Sequence, residues 1–356
     1  MIPLFKVFMS PLAAKAATRV LNSGFIGQGP EVDAFEAELA EYTHAYPVAT
    51  ASCTSAIHMV LTHLGVGPGD EVITTPLTCV ATNAPIVSLG ARPVWADVDM
   101  LTGLIQPDDV AAKITRRTKA IIAVDWTGRR CDYRALKQHG IPVIEDAAHG
   151  PLFQQGERGD YVCYSFGPIK HLTSGDGGAV VTPCAKDREA LKLLRWYGLD
   201  RTSRKDFRCE QDIEVPGLKW HMNDINAAIG RENLLFLPRL VEAHQMNARE
   251  LFTQLAEVDI GLLCPDFSEE SNYWVFPMLI TTGIRDEFKR YMEGSGVMVS
   301  QVHARNDKHT AYDYDSGPLF GAASFVSQQI NIPCGWWLSP EDINRIVSAI
   351  KSWRPS

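Results

Sequence analysis

Along the first half of the chain, short apolar runs alternate with stretches in which apolar residues recur every three to four positions. Residues 46–50, 71–75, 92–96, 118–124 and 141–145 read as strands, and 54–64, 78–89, 107–114 and 133–139 as the helices between them. That rhythm implies crossover units and a mostly parallel sheet with helices on both faces, the α/β class. Two helices precede it. One, at 11–21, is stopped by Asn22-Ser23-Gly24; in the other, at 31–42, Val32, Phe35, Leu39 and Tyr42 share a face and Pro30 suits the first turn. Residues 161–166 and 179–182 read as two further strands, and 186–196 as a helix.

Beyond a polar, turn-rich stretch at 198–216, expected to be a long loop, the pattern changes. Residues 224–255 have helical spacing broken at Pro238; a strand at 273–280, a helix at 285–294, a strand at 296–303 and a last helix at 339–353 follow. We therefore expect a large α/β domain over 1–238 and a smaller C-terminal α+β domain over 239–356.

The turn between the strands at 161–166 and 179–182 reads GPIKHLTSGDGG. It holds Lys170 between a proline and three glycines, which makes the lysine a placed residue. Desolvation there lowers an amine's pKa and makes it a usable nucleophile or Schiff-base former. The bland alternative is a surface lysine on a hairpin. Two other stretches argue for the first. IPVIEDAAH (141–149) is an apolar strand ending in Glu145 and Asp146, and ASCTSAIH (51–58) is a small-residue turn opening a helix. In an open α/β sheet ligands collect beyond the carboxyl ends of strands, where Asp146 and Ser52, Cys53 and Thr54 can meet. A carboxylate at a strand end, an anion-sized nest at a helix start and a desolvated lysine are the parts of a pyridoxal phosphate (PLP) site.

Composition narrows the field mainly by exclusion. The chain has 356 residues, 46% apolar and 21% charged, enough for a large core and unlike a disordered protein. A net charge of −8 with no basic run argues against nucleic-acid or anionic-membrane partners. The eight cysteines are scattered without a CxxC pair, which fits free thiols in a reducing compartment and no metal site. No signal-peptide pattern and no run of about 18 apolar residues is present, so a cytoplasmic protein without a membrane span is expected.

In order, ASCTSA, GPGDEVITTPLTCVATN (67–83), IEDAAH and SFGPIKHLTSGDGG resemble the DegT/DnrJ/EryC1/StrS family of PLP-dependent sugar aminotransferases, of fold-type I. The likeness runs from Gly27 to about Trp353. It implies that Lys170 bears the cofactor and, once released, moves the proton as base and acid. Relatives with His at that position are dehydratases; Lys here favours transamination. Asp146 would face the pyridine nitrogen and keep it protonated, with a plain helix cap as the alternative. Ser52, Cys53, Thr54 and Ser165 would take the phosphate, with N-capping as the alternative for Thr54. His149 would stand near the ring oxygen, or be a structural core histidine. Cys79 stands where relatives carry a stacked aromatic ring; the thiol leaves the packing there open, and a buried small residue is its other reading.

The stretch 217–230, GLKWHMNDINAAIG, resembles the segment that crosses to the partner subunit, making Lys219 and His221 candidates for its phosphate site in a homodimer with shared active sites; Asn223 and Asp224 read equally as helix-start residues. On the substrate side the resemblance implicates Gly27, Gly29, His303 and Arg305, against a solvated loop for the last two. Trp336 and Trp337 suit stacking on a base or a packed core.

The function implied is transfer of an amino group from L-glutamate to a nucleotide-linked keto-sugar, through pyridoxamine phosphate. The product would be an amino sugar for a surface polysaccharide such as O-antigen, or for a natural-product glycoside. A free cyclitol or other non-nucleotide ketone as acceptor, and a non-catalytic PLP-binding regulatory protein, are the alternatives left open.

Overall fold

The computed structural model describes residues 1–354 apart from 151, 153–155, 203–209, 257, 259–261, 281–283 and 313. Part of the expected loop at 198–216, with Cys209, lies outside them. Seven strands form the large sheet: β1 (Tyr46–Thr50), β2 (Glu71–Thr74), β3 (Arg92–Trp95), β4 (Thr118–Val124), β5 (Val143–Asp146), β6 (Tyr161–Ser165) and β7 (Gly178–Thr182). Helices α1 (Ala13–Ser23) and α2 (Pro30–Thr43) precede it. Helices α3 (Cys53–His63), α4 (Val80–Ser88), α5 (Pro107–Ala112) and α6 (Tyr133–Lys137) connect its strands, and α7 (Ala185–Leu194) follows.

The strand order is β1-β7-β6-β5-β4-β2-β3. Pairings from β6 through β3 are parallel, whereas β7 runs antiparallel to both β6 and β1. The reversal has a local cause. The connection that carries Lys170 contains no helix to cross over the sheet; it folds back through the Phe166–Ser174 and Phe166–Gly177 backbone bonds, so β7 returns antiparallel beside β6. The central strands are buried on both faces, which is why their sequences run apolar without alternation. Val48, Ile122, Ile144 and Val180 pack with α3 on one side; Ala49, Val162, Ala179 and Val181 pack with α2 and the later helix at 224–234 on the other.

Helices α8 (Asp224–Leu234) and α9 (Leu237–Leu255) lead to a second, antiparallel sheet of β8 (Leu262–Leu263), β9 (Phe276–Ile280) and β10 (Gln329–Ile332), ordered β10-β9-β8. With α10 (Arg285–Gly294), α11 (Phe320–Gln328) and α12 (Pro340–Ser352) it surrounds its own core of Phe276, Met278, Phe288, Ile330 and Ile346. The break between α8 and α9 falls at Leu235–Phe236, and Pro238 sits in the first turn of α9, where no amide hydrogen is required. Ser339 and Asp342 close α12 with reciprocal capping bonds.

In the tail β8, β10 and α11 are additions to the expected elements, and two expected strands differ. Residues 296–303 are not a strand: they make only the single bridges Ile2–Val297 and Ser300–Asn331, and Val302 has a left-handed backbone (φ 69°) that interrupts extended pairing. The place beside β9 goes to β10, whose four residues are too few to stand out by periodicity. And the strand expected from 273 starts at Phe276, because Tyr273 is also left-handed (φ 47°) and the Trp274 amide donates to the Thr127 carbonyl of the large sheet side at 3.1 Å.

Candidate active site

Three chain segments converge at the carboxyl ends of β5 and β6. Asp146 is the last residue of β5 and is buried. Its Oδ2 accepts from the Thr82 hydroxyl at 2.7 Å, and its Oδ1 accepts from the Ala148 amide at 3.0 Å and from the Cys53 thiol at 3.8 Å. Burial pushes its carboxyl above the usual carboxylate range, and the hydroxyl and amide donors oppose that rise.

Lys170 sits in the β6–β7 turn, where its amide donates to the Gly167 carbonyl and the Ser174 amide closes back on Phe166. The side chain as a whole is half-buried, but its amine lies 3.9 Å from the ring centroid of Trp274, which is only 2% exposed. Desolvation lowers the amine to about 8, against the pull of Asp146 in the other direction.

The third segment is the start of α3. Ser52 is its cap: the hydroxyl accepts from the Ser55 amide at 3.0 Å. The capping role considered for Thr54 therefore belongs to Ser52, and Thr54 lines the cavity. The amides of Cys53 and Thr54, in the first turn, have no partner within the helix, as at any helix start. Gly178 lets β7 run directly beneath this turn; a Cβ there would stand 2.4 Å from the Cys53 nitrogen.

Together these segments enclose a cavity of 190 Å³. Ser52, Cys53, Thr54, Cys79, Asp146, His149, Ser165 and Lys170, all singled out from the sequence, line it. Thr78, Thr82, Val124 and Asp176 line it too and were not singled out. Thr78 and Thr82 are one helical turn apart, their hydroxyls 2.7 Å from each other, a spacing visible in TTPLTCVATN. Ser165 also accepts from the Gly167 amide at 3.4 Å.

Of the candidates, His149 borders both the cavity and a group of stacked rings, and the remaining ones lie outside the lining. The His149 ring stacks on Trp274 (4.0 Å, 18°) and lies parallel to His303 (5.6 Å, 7°). Burial lowers both imidazoles, His149 well below its ordinary value and His303 to about 4, so both are neutral donors or acceptors at neutral pH. Arg305 does not face the cavity lining; its guanidinium forks onto Asp307 at 2.9 and 2.7 Å. Gly27 and Gly29 are held by Asp224, whose amide donates to the Gly27 carbonyl and whose carboxylate accepts from the Gly29 amide at 2.7 Å. Asp224 thus caps α2 from outside, and Asn223 caps α8. Lys219 is exposed beside Trp196, and the His221 ring meets Trp196 edge-on at 3.9 Å. Trp336 and Trp337 pack against the N-terminal segment, on Phe8 and the Pro3 carbonyl.

An amine held near neutrality, a buried carboxylate and a helix start around one cavity, on a mostly parallel sheet, define a fold-type I PLP enzyme. The residues present fit the cofactor by charge: a carboxylate whose own burial is unfavourable gains from a cationic ring nitrogen, and the α3 amides await an anion. Comparison with known proteins agrees. The model of the DegT/DnrJ/EryC1/StrS aminotransferase family matches residues 9–351, and the chain belongs to that family.

Among relatives, the spore coat polysaccharide biosynthesis protein SpsC of Bacillus subtilis is 30% identical, with 98% of this chain and 96% of that protein covered. Solved structures include AtS13 from Actinomadura melliaura (38% identity, TM-score 0.91, 99% of both chains). The sugar aminotransferase CalS13 from Micromonospora echinospora is 33% identical (TM-score 0.91, 99% of this chain and 100% of that one). Spr1654 from Streptococcus pneumoniae, solved in a PLP form, is 25% identical (TM-score 0.89, 99% and 98%). The protein is a PLP-dependent sugar aminotransferase. No described helix is long and apolar enough to cross a membrane.

Proposed function

We propose that this enzyme moves an amino group from L-glutamate to a keto-sugar carried on a nucleoside diphosphate. The observation that supports it most is the convergence of the Lys170 amine and the Asp146 carboxylate on one cavity at the start of α3. When bound, PLP supplies the electron sink for the carbanion at the donor's α-carbon. Lys170 would hold the cofactor through its amine and, once that amine is free, would serve as the base that takes the donor's α-proton and as the acid that delivers it to the cofactor's C4′. With its affinity for a proton near 8, about a tenth of the free amines are unprotonated at pH 7; at the ordinary 10.5 fewer than about one in a thousand would be.

Asp146 holds a proton at the ring nitrogen. Thr82 and Ala148 keep the carboxylate oriented toward it. The α3 amides, with Thr54 and Ser165, take the phosphate. Cys79 flanks the ring, His149 stands near the ring oxygen, and His303, stacked on His149, faces the sugar side; Gly27, Gly29 and Arg305 belong to the same substrate side. The active unit is a homodimer in which Lys219 and His221 complete the partner's phosphate site. Phe25, Ile26, Ile169 and Leu218, each close in sequence to a proposed site residue, are exposed, and a second subunit is what would cover them. The product serves a surface polysaccharide, as the name of the Bacillus relative suggests, or a glycoside. The acidic charge and free thiols favour the cytoplasm.

The test is a screen of nucleotide-linked keto-sugars with glutamate, read by the mass of the product. An amine gained on a nucleotide sugar is expected. Turnover of free cyclitols or simple ketones alone overturns the acceptor class, and a cofactor band that glutamate leaves unchanged overturns the donor.

A further inference from the structure

Trp274 stands apart from the residues assigned so far. It lies between the two sheets, in the segment entering β9, yet it meets the lysine turn in two ways. Its indole N–H donates to the Ile169 carbonyl at 2.8 Å, and the Lys170 amine stands 3.9 Å from its ring centroid. Trp274 is itself held firmly. Its amide is bonded to Thr127, and its ring stacks on His149 and, at 4.7 Å, on Phe5 of the N-terminal segment. At 2% exposure it has no room to swing aside.

We propose that Trp274 is a positioning residue for Lys170: its N–H fixes the main chain beside the lysine, and its ring is the resting place of the amine whenever that amine is free. The inference rests on Lys170 being the cofactor-bearing lysine. In every turnover that lysine must let go and still be in place to move a proton. A freed lysine side chain has many rotamers, and nothing in its covalent structure returns it to the cavity. An indole attracts an ammonium through its ring quadrupole and a neutral amine much less. The ring therefore holds the protonated amine at the cavity and frees it once the proton leaves.

The groups facing the amine are Asp146 on β5, Cys53 on α3, Cys79 before α4, Asp176 in the turn, and the imidazoles of His149, His171 and His303. All remain in the chain when Trp274 is changed, so the titration of the free amine reports on the ring.

The experiment uses holoenzyme in the amino-loaded form, in which Lys170 is free. It is acetylated with acetic anhydride over a pH series, and the Lys170 adduct is quantified by mass spectrometry. Wild type is expected to show a midpoint near 8. In W274L the midpoint moves down, by the range of one cation–π contact, and labelling at pH 7 rises by about two- to eightfold. W274F keeps an aromatic face, though a smaller one than the indole, and loses the N–H. It should keep most of the wild-type midpoint while kcat falls and KM for the keto-sugar changes little. If W274L does not accumulate as folded protein, W274M takes its place. Equal midpoints in wild type and the ring-less variant overturn the proposal, as does W274F shifting as far as W274L. Borohydride reduction of wild type that leaves no cofactor mass on Lys170 overturns the functional reading as well, so the two failures are told apart.

Discussion

The two walls of the cavity are built in opposite ways. On the β5 side, Asp146 is surrounded by hydrogen bonds from regular structure: the Thr82 hydroxyl of α4, the Ala148 amide and the Cys53 thiol of α3. On the other side Lys170, His149, His303 and Trp274 meet through ring faces. Among the described residues, His149 Nδ1, His171 Nε2, His303 Nε2 and Asn272 Oδ1 are buried there without a hydrogen-bond partner. Such atoms cost free energy unless a ligand or a neighbour uses them. A satisfied wall holds one charge in one place. A wall of stacked neutral rings, less directional and incompletely bonded, suits a group that must leave and return. Burial acts on both: it raises Asp146 and lowers Lys170, disfavouring the charge on each.

Removing the mobile group should have the largest effect. K170A is expected to lower transamination by about four orders of magnitude, the upper range for an acid–base group, and to abolish borohydride fixation of the cofactor. A variant keeping a hundredth of the rate would mean the moving group lies elsewhere. Next is the fixed charge. D146N should slow the glutamate half-reaction by about two to three orders of magnitude, comparable with loss of one preorganised electrostatic partner. A drop under tenfold would place the charge-holding role off this wall.

The T82V substitution sharpens the contrast by loosening the satisfied wall without removing its charge. It leaves a buried carboxylate short of a donor, and about 1–3 kcal/mol of stability should be lost in denaturant titration. Its kcat should fall less than that of D146N; an equal fall would show that Thr82 touches the chemistry itself.

The smallest effect is on the ring side, in acid. Burial lowers His244 from 6.5 to about 4, and its Nδ1 lies 2.8 Å from the Tyr273 carbonyl. The unfolded chain therefore binds the extra proton first. The stability contribution is complete above about pH 6.5 and lost as pH falls through about 4. His303 adds a loss of the same sign over the same window. H244Q should flatten the decline of Tm in this window; an unchanged slope would assign the acid sensitivity to other groups.

The legible parts of this protein are the local ones. Strand and helix alternation through β7 shows in the apolar spacing because each strand is buried on both faces over a few consecutive residues. Lys170, Asp146 and Ser52–Thr54 could be singled out because each sits at a strand end or helix start whose geometry is set by its neighbours in sequence. Thr82 was hidden within an ordinary helical turn, and Trp274, in a stretch that reads as core strand, gave no sign of its partner. The segment at 296–303 looked extended by pattern and lost its pairing to β10 and to the left-handed Val302.

The sequence alone therefore determined the α/β frame, the order of the four motifs and which lysine and acid to propose for the cofactor, since propensity, capping and turn geometry act within a few residues. Only the tertiary structure decided what the lysine faces. The indole that meets Lys170 is bonded to a carbonyl 105 residues away in the chain. Such a contact depends on how two separately cored sheets pack, and no short-range pattern encodes it.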